Sequence, residues 1–405
     1  MEELLAFNEK ALIEGKKYTK KRFIYQKIHQ LLKERVFIGL IGPRGVGKTV
    51  LLKQLLNEIE SGFYINLETV VPEKSLYSIA EELEKKGVKY LFIDEIHFYP
   101  NFAMDLKKIY DFLSIIVVFT GSAALSLHEA SYDLSRRVRI IQVPPFSFRE
   151  FIFFEKDELV DALSLEQIFD EKFIREQYGK YIKFEPLFTE YLKGRNYPFT
   201  LGKTEYLPLF DNILQRILTN DILKAGMVSS EETYEIRNVL KFIGKSPVED
   251  ISYSSLSHNL GITKYKAEKY VSVLEKTFIL NKVIPKGTNV MKEPKILFTI
   301  PYRLLYKDFN ECIGALKEDF FVDTLRFLNK EVYYLKTTQG KKTPDYLIDD
   351  MVIEIGGKGK GISQFKGLEK KKTSILTYPG QLDNLRRPLF MLGMVEAPYL
   401  STVNV

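Results

Sequence analysis

The chain has 405 residues, a length that predicts about three domains. Hydrophobic residues make up 45% and charged residues 28%, which fills real cores and excludes a disordered chain. A net charge of +6 permits an anionic partner without demanding one, the single cysteine Cys312 excludes a disulfide framework, and His29, His97, His128 and His258 lack metal-ligand spacing.

No apolar run approaches the roughly 20 residues of a membrane helix. The opening MEELLAFNEK lacks the apolar core of a signal peptide. The expectation is a soluble cytoplasmic protein with no membrane partner.

In chain order, the apolar spacing of IYQKIHQLLKERV predicts a helix, and VFIGLI (36–41) a strand buried on both faces. GPRGVGKT follows, then VLLKQLLNEIE at helical spacing. Further strands are expected at FYINL (63–67), YLFID (90–94), IIVVFT (115–120) and VRIIQV (138–143), with helices between them at SIAEELEKKG and DLKKIYDFLS. The βαβα alternation implies a parallel sheet covered on both faces, ending near Pro144-Pro145. These residues, 1–150, form the first expected domain.

Residues 151–235 read as helices with breaks, one of them an irregular turn at Tyr197–Phe199. Over 236–302, IRNVLKFIG predicts a helix ended by Gly244, SYSSLSHNLG one ended by Gly261, and TKYKAEKYVSVLEKT one capped by Thr263. FILNKVIP and KILFTIP then form a ribbon, so three helices plus ribbon outline a winged helix-turn-helix. Over 303–405 a helix, LKEDFFVDTLRFL, precedes strands at VYYLK, DYLID and VIEI and a helix around 363–371, giving a small α/β domain.

Gly42-Pro43-Arg44-Gly45-Val46-Gly47-Lys48-Thr49 satisfies G-x-x-x-x-G-K-[ST] between a predicted strand and the helix that continues through Val50. The glycines let successive amides point at phosphate oxygens, and the helix N-terminus adds its dipole. Lys48 is placed for the β- and γ-phosphates and Thr49 for Mg²⁺. At the end of YLFIDE, Asp94 is placed to hold Mg²⁺ through water and Glu95 to polarise the attacking water. Thr120 and Ser122 are sensor candidates, or simply a turn and helix cap. Arg136 and Arg137 could stabilise transition-state charge in their own or a neighbouring subunit, or form a solvated turn. Asn66 is a weaker candidate. His97 reads as a loop histidine and Cys312 as structural.

GPRGVGKT, FIDEIHFYPNF, FTGSAALSL and RRVRIIQVPPFSFREF together resemble prokaryotic AAA-type ATPases that carry a C-terminal domain of unknown function. FTEYLKGRNYPF, LTNDI and IEIGGKGKGISQFKG extend the resemblance over almost the whole chain. The resemblance implies a P-loop ASCE-type ATPase core with strand order 5-1-4-3-2, ATP as nucleotide with Mg²⁺, and Glu95 as the catalytic glutamate. The family's tail is similar to restriction-nuclease-like folds. That implies a degenerate metal site at Glu318, Asp345 and Glu354, with Gly356 at the lysine position and Lys358 two residues beyond; nuclease activity is not expected.

Lys264, Lys266 and Lys269 lie on the third helix of the winged-helix outline, and the ribbon adds Lys282, Lys286, Lys292 and Lys295. Such a helix can follow duplex phosphates. It can equally dock as a lid or on a protein client. The expectation is an ATP-driven switch, with an ATP-gated DNA-binding protein and a slow signalling or defence switch as alternatives. A homo-oligomer is open, because an arginine acting in trans requires one.

Overall fold

The computed structural model describes residues 2–70, 73–121, 136–287, 293–335, 344–356, 365 and 372–396. The described residues divide into two compact units, one up to Pro145 and one from Phe146. Each has its own sheet.

The first unit is a five-stranded parallel sheet: β1 (Phe37–Ile41), β2 (Gly62–Asn66), β3 (Tyr90–Asp94), β4 (Ile116–Gly121) and β5 (Val138–Gln142). Its order is β2-β3-β4-β1-β5, the P-loop ATPase arrangement. All five residues of β1 are buried, as expected of a central strand covered on both faces. Helix α1 (Glu2–Gly15) packs beside β2; the mixed, charged sequence at 1–34 gives no clear signal for it. Helices α2 (Tyr25–Leu31), α3 (Lys48–Glu58), α4 (Leu76–Lys85) and α5 (Phe102–Phe112) are the other α-helices among the unit's described residues.

The second unit begins with short helices between Phe148 and Arg216, broken by extended Tyr197 and the 3₁₀ turn Pro198–Thr200. Then come α6 (Ser230–Lys245), α7 (Tyr253–Leu260) and α8 (Lys264–Lys276). Gly261 ends α7 in the left-handed region, and the Thr263 hydroxyl accepts the Lys266 amide, as the caps predict. Gly244 does not end α6. It lies inside the helix, where a β-carbon would stand 2.5 Å from the Tyr306 side chain, so close packing explains the glycine.

Strands β6 (Leu280–Pro285) and β7 (Lys295–Phe298) pair antiparallel as a ribbon. The ribbon is not isolated. β6 also pairs with β8 (Val332–Tyr334), and the sheet continues through β9 (Tyr346–Ile348), β10 (Met351–Gly356), β11 (Lys372–Thr377) and β12 (Arg386–Pro388). The result is one seven-stranded mixed sheet of order β12-β11-β10-β9-β8-β6-β7. The helix expected at 363–371 lies outside the described residues apart from Phe365. No helix among the described residues is long and apolar enough to cross a membrane.

Helix α9 (Phe309–Phe327) packs against β6, β7, β8 and β10 and carries two buried carboxylates one turn apart. Asp319 accepts from the Phe298 amide and pairs with buried Arg303 at 2.5 and 2.9 Å. Asp323 accepts from the Ile300 amide at 2.8 Å and from the Asn281 side chain. The two acids therefore hold the end of β7 to α9. Cys312, on the same helix, is buried, and burial pushes its thiol up to about 11, as suits a structural cysteine.

Burial raises the Asp323 carboxyl to about 8, against the opposing hydrogen bonds from Ile300 and Asn281. The folded chain thus keeps a proton that the unfolded chain releases near the ordinary carboxylate value. That contribution is full below the ordinary value and is lost as pH rises toward about 8. The urea midpoint of the wild type should fall between about pH 5 and about pH 8, and Asp323→Asn should flatten that slope. Equal slopes would show that Asp323 is ionised in the fold.

Candidate functional site

Strand register places Asp94 and Thr120 at one edge of the first sheet. Ile93 lies opposite Phe119, and Thr120 lies opposite Leu40, so Asp94 and Thr120 come level just before β1 runs into Gly42. The loop follows its sequence closely. Gly42 has φ +153°, and a β-carbon there would stand 2.2 Å from the Val143 carbonyl oxygen. Gly47 is left-handed at φ 90° and directly precedes α3, whose first residues are Lys48 and Thr49. Lys48 is buried, and its Nζ donates to Gly42 O at 2.8 Å and Pro43 O at 2.9 Å.

Asp94 is 1% exposed and held from several sides. The Tyr64 hydroxyl donates to Oδ2 at 2.8 Å, with Asn66 Nδ2 at 3.5 Å, and the Thr120 hydroxyl donates to Oδ1 at 2.5 Å. The Glu95 amide in turn donates to Thr120 Oγ1 at 2.9 Å. Thr120 thus ties both acidic residues to β4. Burial, and then the Asp94 carboxylate, raise the Tyr64 hydroxyl well above its ordinary value, so it remains a donor. Glu95 sits at φ 54°, a conformation uncommon outside glycine, at the start of the 3₁₀ turn Ile96–Phe98. His97 Nδ1 lies 3.3 Å from Glu95 Oε2, both side chains nearly buried.

The residues fit a nucleotide with a divalent cation. The glycine cradle opens onto a helix N-terminus that carries Thr49, and Asp94 supplies a buried carboxylate with fixed oxygens. His97, read from sequence as a loop histidine, stands against Glu95. Tyr64 and Arg22, the latter described below, were not singled out by the sequence. The strand pattern of FYINL could have marked Tyr64 as a neighbour of Asp94 once the strand order was set; no local motif marks Arg22.

Ser122 lies outside the described residues. Arg136 and Arg137 do not join the cluster. They precede β5, and the Arg137 carbonyl accepts the Phe37 amide at the start of β1, so both stand at the sheet edge opposite the phosphate loop. Five strand residues separate the edges, roughly 16 Å at strand rise. Arg137 is held by Asp111 through two hydrogen bonds at 2.9 and 3.0 Å. A role for either arginine at this chain's own phosphate loop is therefore corrected by the sheet's polarity.

The basic helix is also changed by its surroundings. Lys266 donates to Glu235 at 2.8 and 2.9 Å, and Lys269 to Glu232 at 2.7 and 2.8 Å. Lys264 pairs with Glu293, Lys282 with Glu275, and Lys295 with Glu318. Five of the lysines expected to follow phosphates thus face carboxylates of α6, α8, α9 and the residues before β7, while Lys286 lies over the Tyr333 ring. Lys292 lies outside the described residues.

In the second sheet, Asp345 and Glu354 are neighbours across β9 and β10. The Asp345 amide donates to Glu354 Oε2 at 3.2 Å, and the Ile355 amide to Asp345 Oδ2 at 2.8 Å. Tyr346 donates to Glu318 at 2.7 Å. Burial raises the Glu318 carboxyl, Lys295 offsets part of this, and Asp345 adds to it. Among the described residues no group of three or more histidine, cysteine or acidic side chains is placed to hold a metal ion, so Asp345, Glu354 and Glu318 do not assemble one here. Lys358 lies outside the described residues.

Residues 34–152 match the family described as AAA domain, and residues 200–299 match a domain of unknown function, DUF8612. Uncharacterized protein MJ1637 of Methanocaldococcus jannaschii is 30% identical over 410 residues, covering 88% of this chain and 84% of the relative. The Walker-type ATPase PABY2304 of Pyrococcus abyssi is similar with a TM-score of 0.41 and 14% identity, over 71% of this chain and 95% of that one. The Aeropyrum pernix ORC1 protein, solved in complex with DNA, gives 0.32 and 14%, over 75% and 93%.

Replacing Lys264, Lys266 and Lys269 together by alanine should change affinity for a mixed-sequence duplex by less than about twofold, with an unchanged salt slope. Fluorescence anisotropy at several salt concentrations reads this. A large loss with a shallower slope would place the helix on the phosphate backbone.

Proposed function

We propose that this chain, which belongs to the family of the Methanocaldococcus jannaschii relative and carries an AAA domain, is a Mg²⁺-dependent ATPase working as a nucleotide-driven switch. The observation that carries the reading is the joining of Asp94, Glu95 and Thr120 at the strand ends beside the phosphate loop.

Backbone amides from Arg44 to Lys48 and the Lys48 ammonium bind the phosphate oxygens of ATP. Thr49 and Asp94 would hold Mg²⁺, which supplies charge neutralisation on the β- and γ-phosphates when bound. Glu95 takes a proton from the water that attacks the γ-phosphorus, the bond to the β-phosphate oxygen breaks, and ADP and phosphate leave. Thr120 holds the Glu95 backbone and Asp94 in register for that step.

We read the remainder as the switch's output: a helical region (151–235), a winged helix-turn-helix (236–302) and a nuclease-like C-terminal domain (303–405). The lysine–carboxylate pairs on α8 favour docking within the chain or on a protein client over duplex binding. The slow signalling reading differs only in rate, and turnover measurement decides it.

Steady-state phosphate release with Mg²⁺ tests the assignment. Glu95→Gln should lower kcat by at least about 100-fold while ATP still binds. Thr120→Val keeps the shape and removes the hydroxyl, so kcat should fall about 10- to 100-fold with ATP affinity within about threefold. Turnover indifferent to Glu95→Gln would overturn the catalytic assignment.

A further inference from the structure

A loop that aims its amides at a phosphate aims carbonyls the other way, and buried carbonyls need donors. Lys48 serves Gly42 O and Pro43 O. The next inward carbonyl, Val46 O, accepts from Arg22 Nη1 at 2.8 Å. Arg22 is 6% exposed and comes from the segment between α1 and α2, outside the motif.

The same guanidinium has a second set of partners. Nη1 also donates to Pro144 O at 2.8 Å, and Nη2 donates to Pro145 O at 3.3 Å. These prolines are the last residues of the nucleotide unit, and Phe146 begins the other. Two further contacts tighten the arrangement. The Val143 carbonyl lies against Gly42, leaving no room for a β-carbon, and the Val143 amide donates to Ile41 O at 2.7 Å. Buried Gln54, on α3, donates to Tyr18 O and Lys20 O at 2.8 and 2.9 Å, which anchors the segment carrying Arg22 to the helix that follows the phosphate loop.

We infer that Arg22 is a positioning residue that couples the phosphate loop to the exit segment Val143–Pro145, so that nucleotide state at the loop is passed to the joint with the second unit. The inference rests on the ATP reading above. A planar, always-charged fork suits the role because one group bridges carbonyls of two segments. A lysine carries its three donors on one nitrogen and lacks the second, in-plane nitrogen that reaches Pro145 O, so it cannot hold all three carbonyls in the same geometry. A shift of Val46 as the loop closes on phosphate draws Arg22, and with it the Pro144 and Pro145 carbonyls.

The test uses the full chain, wild type and Arg22→Lys, with Mg²⁺ and either AMP-PNP or ADP. Nucleotide affinity is measured by titration. Hydrogen exchange is read at Val143 and Phe146, the amides flanking the two prolines. In the wild type, protection should differ about tenfold between the two nucleotides; in Arg22→Lys the difference should drop below about twofold, with either affinity changed by no more than about fivefold. A merely structural arginine would lower protection equally in both states. Arg22→Lys retaining the wild-type difference overturns the coupling, and so does a wild type that binds both nucleotides yet shows no difference. A wild type that binds neither nucleotide instead overturns the ATP reading and the coupling with it. Should Arg22→Lys fail to fold, Gln54→Leu releases the same segment and is judged by the same two readouts.

Discussion

The phosphate loop imposes the constraint on which the rest of the first unit depends. Amides turned toward an anion leave carbonyls facing protein, and each must find a donor without water. Lys48 answers for the first two and Arg22 for Val46. The consequence reaches well beyond the motif. The donor for Val46 comes from an N-terminal segment pinned by Gln54, and the loop's first glycine must tolerate the backbone leaving β5. The octapeptide Gly42–Thr49 is thus only the visible face of a cluster assembled from residues 18–22, 42–54 and 143–145.

A parallel sheet gives every strand the same polarity, and that polarity sorts the candidates. Residues at strand ends, Asp94 and Thr120, gather at the loop; residues before strands, Arg136 and Arg137, fall on the far edge. Thr120 shows how little is needed once the register is set. One hydroxyl donates to the Asp94 carboxylate and accepts the Glu95 amide, so a single β4 side chain holds both acids of the adjacent strand. An arginine on the far edge can reach a phosphate loop only if that loop belongs to another copy.

The second unit solves a different problem. Its ribbon would be a marginal two-stranded element alone. Pairing of Ile284 and Pro285 with Tyr333 and Tyr334 makes it the edge of a seven-stranded sheet. Asp319 and Asp323 then fix the end of β7 and the residues just after it by accepting the Phe298 and Ile300 amides, with Arg303 neutralising the first. Breaking that pair would strand a buried charge, so the joint between ribbon and helix is held by groups that cannot be removed singly without cost.

What was legible in one sequence follows the range of the interactions. The strands of the first sheet, the phosphate loop, and the caps at Gly261 and Thr263 depend on neighbours within a few residues, and those patterns were readable. The strand order came through the resemblance. Gly244 misled because a glycine within a helix and one after it look alike until Tyr306, 62 positions away, is seen to pack on it. The lysines of α8 misled for the same reason. Lys264 meets Glu293 29 residues on, Lys266 meets Glu235 31 residues back, and Lys269 meets Glu232 37 residues back. A count of charges along a helix gives a basic face; the fold brings a carboxylate to each of these three. Charge read from sequence is therefore an upper bound on the field a surface presents, and each lysine that finds its partner inside the fold lowers the number of phosphates the helix could neutralise.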